Sequence, residues 1–196
     1  MQAARGTSLN SGDHPETPIS PPHRTRFRTV FVVTALIAYA IDIGTKVLAV
    51  ERLTGKGRVD VIGDLFGFNL ARNPGAAFST GTGFTEVFSL LAIAATLVVL
   101  WLSRRLGSTL WAIGLGLLLA GITGNLTDRL LRAPGPLRGH VVDFLELPNW
   151  PIFNVADMCL NIGVAIVLIQ TVRGVSLDGS RVKASKDSDD REQDPA

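Results

Sequence analysis

The chain has 196 residues, 46% hydrophobic and only 18% charged, more apolar than a soluble core of this length needs. Residues 1–28 and 173–196 hold 17 of its 36 charged side chains, so the middle is unusually poor in charge. A net charge of +2 with no basic stripe of interleaved aromatics does not point to a nucleic-acid binder. A single cysteine, Cys159, excludes an internal disulfide framework and a multi-thiolate zinc site. Two of the three histidines, His14 and His23, fall in the polar N-terminal stretch, so no histidine metal centre is expected.

Residues 1–28 carry Pro15, Pro18, Pro21 and Pro22 and read as a disordered cytoplasmic tail. Four apolar stretches follow, each near the roughly 20 residues that cross a bilayer: Val30–Val50, Val87–Ser103, Leu106–Thr127, and a fourth from near Ile152 through Val172. The expected fold is a membrane all-α bundle of four transmembrane helices spanning residues 29–172, with a second cytoplasmic tail over 173–196. Arg24, Arg26 and Arg28 precede the first span, Arg104 and Arg105 fill the tight turn between the second and third, and Arg173 follows the fourth. That distribution favours cytoplasmic termini, although Arg52, Lys56, Arg58, Arg72, Arg129, Arg132 and Arg138 lie in the opposite loops.

Ionisable groups inside a span are costly and usually face the bundle interior. Asp42 and Lys46 are four residues apart in the first span, on one helix face, and should pair. Between spans one and two, Val59–Phe78 has alternating Phe66, Phe68 and Leu70 and a Pro74-Gly75 turn signal, which predicts a small extracytoplasmic β-element. In span three, Ala112, Gly116, Ala120 and Gly124 form a stripe of small residues that permits close backbone approach. Asn125 and Asp128 follow on one face, with Arg129 beside them.

Two further carboxylates carry the chemistry. Asp143 lies in the β-like run HVVDFLEL, and Asp157 lies in FNVAD, where Asn154, Asp157 and Asn161 share a face of the fourth span. The short connection through Pro148 and Pro151 can bring both to one depth. Two carboxylates in a partly dry site share a proton, the condition for general acid–base attack of water on a peptide carbonyl. The alternative is that each aspartate caps a helix or pairs with Arg129. HExxH and GxSxG are both missing from the chain.

The blocks DIGTK (Asp42–Lys46), RNPGAAFS (Arg72–Ser79), GNLTDR (Gly124–Arg129), HVVDFL (His140–Leu145) and FNVAD (Phe153–Asp157), in this order and spacing, resemble lipoprotein signal peptidase, the signal peptidase II family. The resemblance covers about residues 29–172. It implies an intramembrane aspartic endopeptidase of the bacterial inner membrane, without cofactor, with its active site near the outer face; a monomer is expected. Its implied partners are membrane lipid and diacylglyceryl-modified prolipoproteins, cut just before the lipidated cysteine. The catalytic pair falls on Asp143 and Asp157. Asn154 supports Asp157, and Arg72, Asn73, Asn125, Asp128 and Arg129 shape the site or contact substrate. Ala120-Gly121 stands where the family often has Gly-Gly, and Ile43 where it often has glutamine. A small proton-coupled transporter would also use intramembrane Asp and Asn, but no inverted repeat is visible. A purely structural membrane subunit would need no carboxylates at the rim.

Overall fold

The computed structural model describes residues 23–75 and 85–181. Helix α1 (His23–Leu53) leads to a hairpin of strands β1 (Val59–Ile62) and β2 (Phe66–Asn73). Helices α2 (Thr85–Ser103) and α3 (Thr109–Leu131), strand β3 (Val141–Glu146) and helix α4 (Val155–Val172) complete the order. All four helices are long and apolar enough to cross a membrane, and their outward faces are greasy, as Leu36, Leu91, Leu97 and Leu168 illustrate.

Each boundary that departs from the expected one has a local cause. The first span begins at His23 rather than Val30, because Arg26 and Arg28 are good helix formers that simply continue the helix beyond the apolar stretch. The third begins at Thr109, since Leu106 and Gly107 belong to the turn after α2, and it runs on to Leu131. GNLTDR, of which the expected span took in only Gly124–Thr127, therefore lies wholly inside α3. The fourth begins only after Asn154, which caps it.

Helix α3 is the centre of the bundle, and small residues put it there. A Cβ on Gly116 would lie 2.9 Å from the Phe31 carbonyl of α1, and one on Gly124 would crowd the Asp42 carboxylate. The Ala112–Gly124 stripe thus receives α1. A second set, Gly114 and Gly121 with Gly163 of α4, brings α4 equally close: a Cβ on Gly121 would stand 2.5 Å from the Ala156 carbonyl. Without a hydrophobic drive between helices in lipid, such backbone contact is how they associate.

The β-element is a three-stranded antiparallel sheet in the order β1-β2-β3. The stretch between α1 and α2 supplies only the hairpin, and β3 from between α3 and α4 completes it. Phe66, Phe68 and Leu70 pack with Ala49, Leu53, Val142 and Phe144, seating the sheet on the end of α1. The register sets Ala71 opposite Asp143 and Asn73 opposite Val141. Ala76–Ser79 of the RNPGAAFS block lie outside the described residues.

The polar C-terminal stretch does not begin at residue 173. Val175 and Leu177 pack against the core cluster that includes Leu106 and Trp111, the Trp111 indole N–H donates to the Val175 carbonyl at 3.0 Å, and the Gly107 N–H donates to that of Leu177 at 2.9 Å. Two apolar residues spaced two apart give this loop something to bury, so it folds back on the α2–α3 turn.

Candidate active site

The geometry starts from the N-terminus of α4. Asn154 accepts from the Asp157 N–H at 3.0 Å, and the Asp157 carboxylate accepts from the Asn154 N–H at 3.1 Å, a reciprocal capping box. The cap fixes the Asn154 amide, whose Oδ1 is committed to the helix. Its Nδ2 then donates to Asp143 Oδ1 at 2.6 Å and to Asn125 Oδ1 at 3.1 Å. Asn125 Nδ2 donates in turn to Asp157 Oδ1 at 2.9 Å. Asn73, at the end of β2, donates to Asp143 Oδ2 at 3.0 Å while its own Oδ1 accepts the Gly75 N–H at 2.9 Å.

The two aspartates are therefore joined through shared amides, and both line one cavity of about 450 Å³ together with Asn73, Asn161, Trp150, Ile152 and Met158. Asp143 is only 3% exposed. Burial, and after it the neighbouring Asp157 carboxylate, pushes its carboxyl from the ordinary 3.8 up to about 6, against the pull of the Asn73 and Asn154 donors and of Lys46. Helix capping and a cavity-facing carboxylate, weighed above as alternatives for Asp157, coexist in one side chain. The half-buried Arg129 guanidinium interacts electrostatically with Asp157, Asp143 and Asp128. Its Nε has no hydrogen-bond partner among the described residues.

Behind the cavity lies a buried ionic cluster. The Lys46 ammonium, fully buried, contacts Asp42 at 2.9 Å, Asp128 at 3.0 Å and Asn125 Oδ1 at 3.0 Å. Asp128 also pairs with Arg132 one turn on. The expected Asp42–Lys46 pair is present, with Asp128 as an unexpected second partner.

The fold thus gathers Asn73, Asn125, Asp128, Arg129, Asp143, Asn154 and Asp157, with Asp42 and Lys46 at their back. Arg72 is different: β2 alternates, so the residue beside Asn73 points to the opposite face, where it is exposed. Sequence reasoning missed Trp150, Ile152 and Met158 as cavity walls, although their closeness to FNVAD was a signal. Among the described residues no group of three or more His, Cys, Asp or Glu converges as a metal-ligand set.

These features define a class: a multi-pass membrane protein with a polar centre between a four-helix bundle and a small sheet, two carboxylates sharing one cavity. Comparison with known proteins makes the class specific. The family model for signal peptidase (SPase) II matches residues 34–173. A lipoprotein signal peptidase of Mycobacterium avium (strain 104) is 47% identical over 171 residues, 86% of this chain and 92% of the relative. One from Mycobacterium leprae (strain Br4923) is 46% identical over 158 residues, 81% and 77% of the two chains. A bacterial membrane enzyme solved at 2.3 Å by the in meso method superposes with a TM-score of 0.66 at 26% identity, covering 82% of this chain and 95% of that one. The chain belongs to the signal peptidase II family and is a bacterial membrane peptidase.

Proposed function

We propose that the protein is an aspartic endopeptidase that removes the signal peptide from diacylglyceryl-modified prolipoproteins, cutting on the N-terminal side of the lipidated cysteine. The observation that carries this reading is the shared cavity of Asp143 and Asp157, each carboxylate held by asparagine donors. With one proton on the pair, the ionised carboxylate takes a proton from water as the water oxygen bonds to the scissile carbonyl carbon. The protonated partner donates to the carbonyl oxygen. Collapse of the tetrahedral intermediate breaks the C–N bond and passes a proton to the leaving nitrogen. The products are a signal-peptide carboxylate and a free amino group on the lipidated cysteine.

Trp150, Ile152 and Met158 give the cavity an apolar wall suited to a lipidated segment arriving from the bilayer. Cytoplasmic termini and a site near the outer face are supported by the other end of the bundle. There Arg28 donates to the Arg104 carbonyl at 3.2 Å, so the start of α1 joins the arginine-rich α2–α3 turn. Family membership favours this reading over a proton-coupled transporter.

The test is signal-peptide release from a diacylglyceryl-modified prolipoprotein by purified protein. Asp143→Asn and Asp157→Asn should each abolish release while leaving the fold intact. Retained turnover in either variant removes the aspartic mechanism.

A further inference from the structure

Two backbone hydrogen bonds have the same form. Asp128 Oδ2 accepts the N–H of Val142 at 3.1 Å, and Asp42 Oδ1 accepts the N–H of Ala156 at 2.9 Å. Val142 immediately precedes Asp143, and Ala156 immediately precedes Asp157. Each carboxylate thus grips the main chain one residue before a member of the pair, one on β3 and the other on α4. Both carboxylates are held by the same ammonium: Lys46 Nζ lies 2.9 Å from Asp42 Oδ2 and 3.0 Å from Asp128 Oδ2.

Lys46 Nζ also donates to Asn125 Oδ1 at 3.0 Å. An ammonium has donors and no acceptor, so the atom of Asn125 facing it must be the oxygen. That choice leaves Asn125 Nδ2 to donate to Asp157 Oδ1 at 2.9 Å. Three arms therefore leave one buried nitrogen and end on or beside Asp143 and Asp157. The cluster draws on α1 for Asp42 and Lys46 and on α3 for Asn125 and Asp128, so the pair's geometry is referred to the centre of the bundle rather than to the loop that joins β3 to α4.

We propose that Lys46 is a positioning residue for peptide hydrolysis: its ammonium clamps Asp42 and Asp128, and through them the backbone before each aspartate, fixing how far apart the Asp143 and Asp157 carboxyls stand. This rests on the aspartic reading above. The role differs from holding the helices together, since a helix tie alone would leave turnover per folded molecule unchanged. Displacing reacting groups by about 1 Å costs on the order of 100-fold in rate, with little effect on substrate binding.

The experiment uses the full chain in detergent or nanodiscs with diacylglyceryl-modified prolipoprotein. The triple variant Asp42→Asn/Lys46→Met/Asp128→Asn removes the clamp without stranding an uncompensated carboxylate at either end of it. Tyr39→Phe serves as comparator, because it deletes a single α1–α3 hydrogen bond, Tyr39 to Thr127 at 3.0 Å, outside the clamp. At equal folded fraction, the triple variant should lose about 100-fold in kcat with KM close to that of the parent, while Tyr39→Phe keeps its kcat. A parental kcat in the triple variant, or a loss confined to KM or accounted for by unfolded protein, overturns the proposal. Should the triple variant not fold, Asp42→Asn alone carries the test: a kcat-only loss supports the clamp and a parental kcat refutes it. Asp143→Asn and Asp157→Asn run alongside. Inactivity there with full turnover in the clamp variants refutes the role of Lys46 alone, whereas activity there refutes the aspartic reading itself.

Discussion

Asp143 sets a pH dependence of stability that can be worked from its surroundings. Its carboxyl is buried beside Asp157 and titrates near 6 in place of 3.8. Between these values the native protein keeps a proton that the unfolded chain has released, so stability is full below about pH 4 and is lost as pH rises through about pH 6. At about 1.4 kcal/mol per unit, the group costs the native state about 3 kcal/mol at neutral pH.

Asp143→Asn removes this titration. The amide cannot accept from both Asn73 and Asn154 as the carboxylate does, but that penalty is independent of pH and cancels from a comparison of slopes. Unfolding of detergent-solubilised parent and variant, followed from about pH 4 to pH 8, should show the variant gaining about 3 kcal/mol relative to the parent. For a chain of this size that is about 6 to 12 °C in Tm. Parallel curves would refute the argument that burial and the second carboxylate hold Asp143 protonated.

Asn73→Ala removes a donor that favours the ionised form of Asp143. The alkaline limb of the kcat/KM profile, where the pair loses its shared proton, should move to higher pH, and a limb that stays put or falls contradicts the assignment. Asn154→Ala loses both the helix cap, about 1 kcal/mol, and the donor to Asp143, whereas Asn154→Ser keeps a capping oxygen. Serine should restore thermal stability without restoring turnover, and recovery of both would make the amide dispensable. Gly121→Ala drives a methyl to 2.5 Å from the Ala156 carbonyl, next to Asp157, so it should cost about 1 to 3 kcal/mol in stability and lower kcat as well. Gly114→Ala meets only the Ile166 side chain and the Gly163 carbonyl further along α4, and should lower stability with kcat retained in the folded protein.

The parts legible in sequence are those where lipid imposes the rule. Spans announce themselves by length and hydropathy, and Asp42, Lys46, Asn154, Asp157 and Asn161 by polar residues recurring at helical spacing in apolar surroundings. The Gly114/Gly121 face was hidden because α3 is rich in small residues on more than one side. The pairing of β2 with β3 joins residues about seventy positions apart, and nothing local in HVVDFLEL specifies its partner. Strand alternation would have separated Arg72 from Asn73, which a shared motif block lumps together. The grips of Asp42 on Ala156 and Asp128 on Val142 leave no trace in residue type, since any non-proline residue supplies a backbone N–H.

The buried charges then sort into two groups with different demands. Asp42, Lys46, Asp128 and Arg132 sum to zero, and Lys46 contacts both carboxylates and Asn125 within the cluster, so that set is balanced in charge and suited to holding position. Asp143, Asp157 and Arg129 are not balanced in the same way. Two carboxylates face one guanidinium whose Nε is unbonded, and the trio reaches neutrality only when a single proton is shared by the pair. The cavity opens onto the two carboxylates of this second group. A net charge left to be balanced by a proton is what the proposed aspartic mechanism needs at its reacting pair, whereas the charge-balanced group behind it has the arrangement expected of groups that hold position.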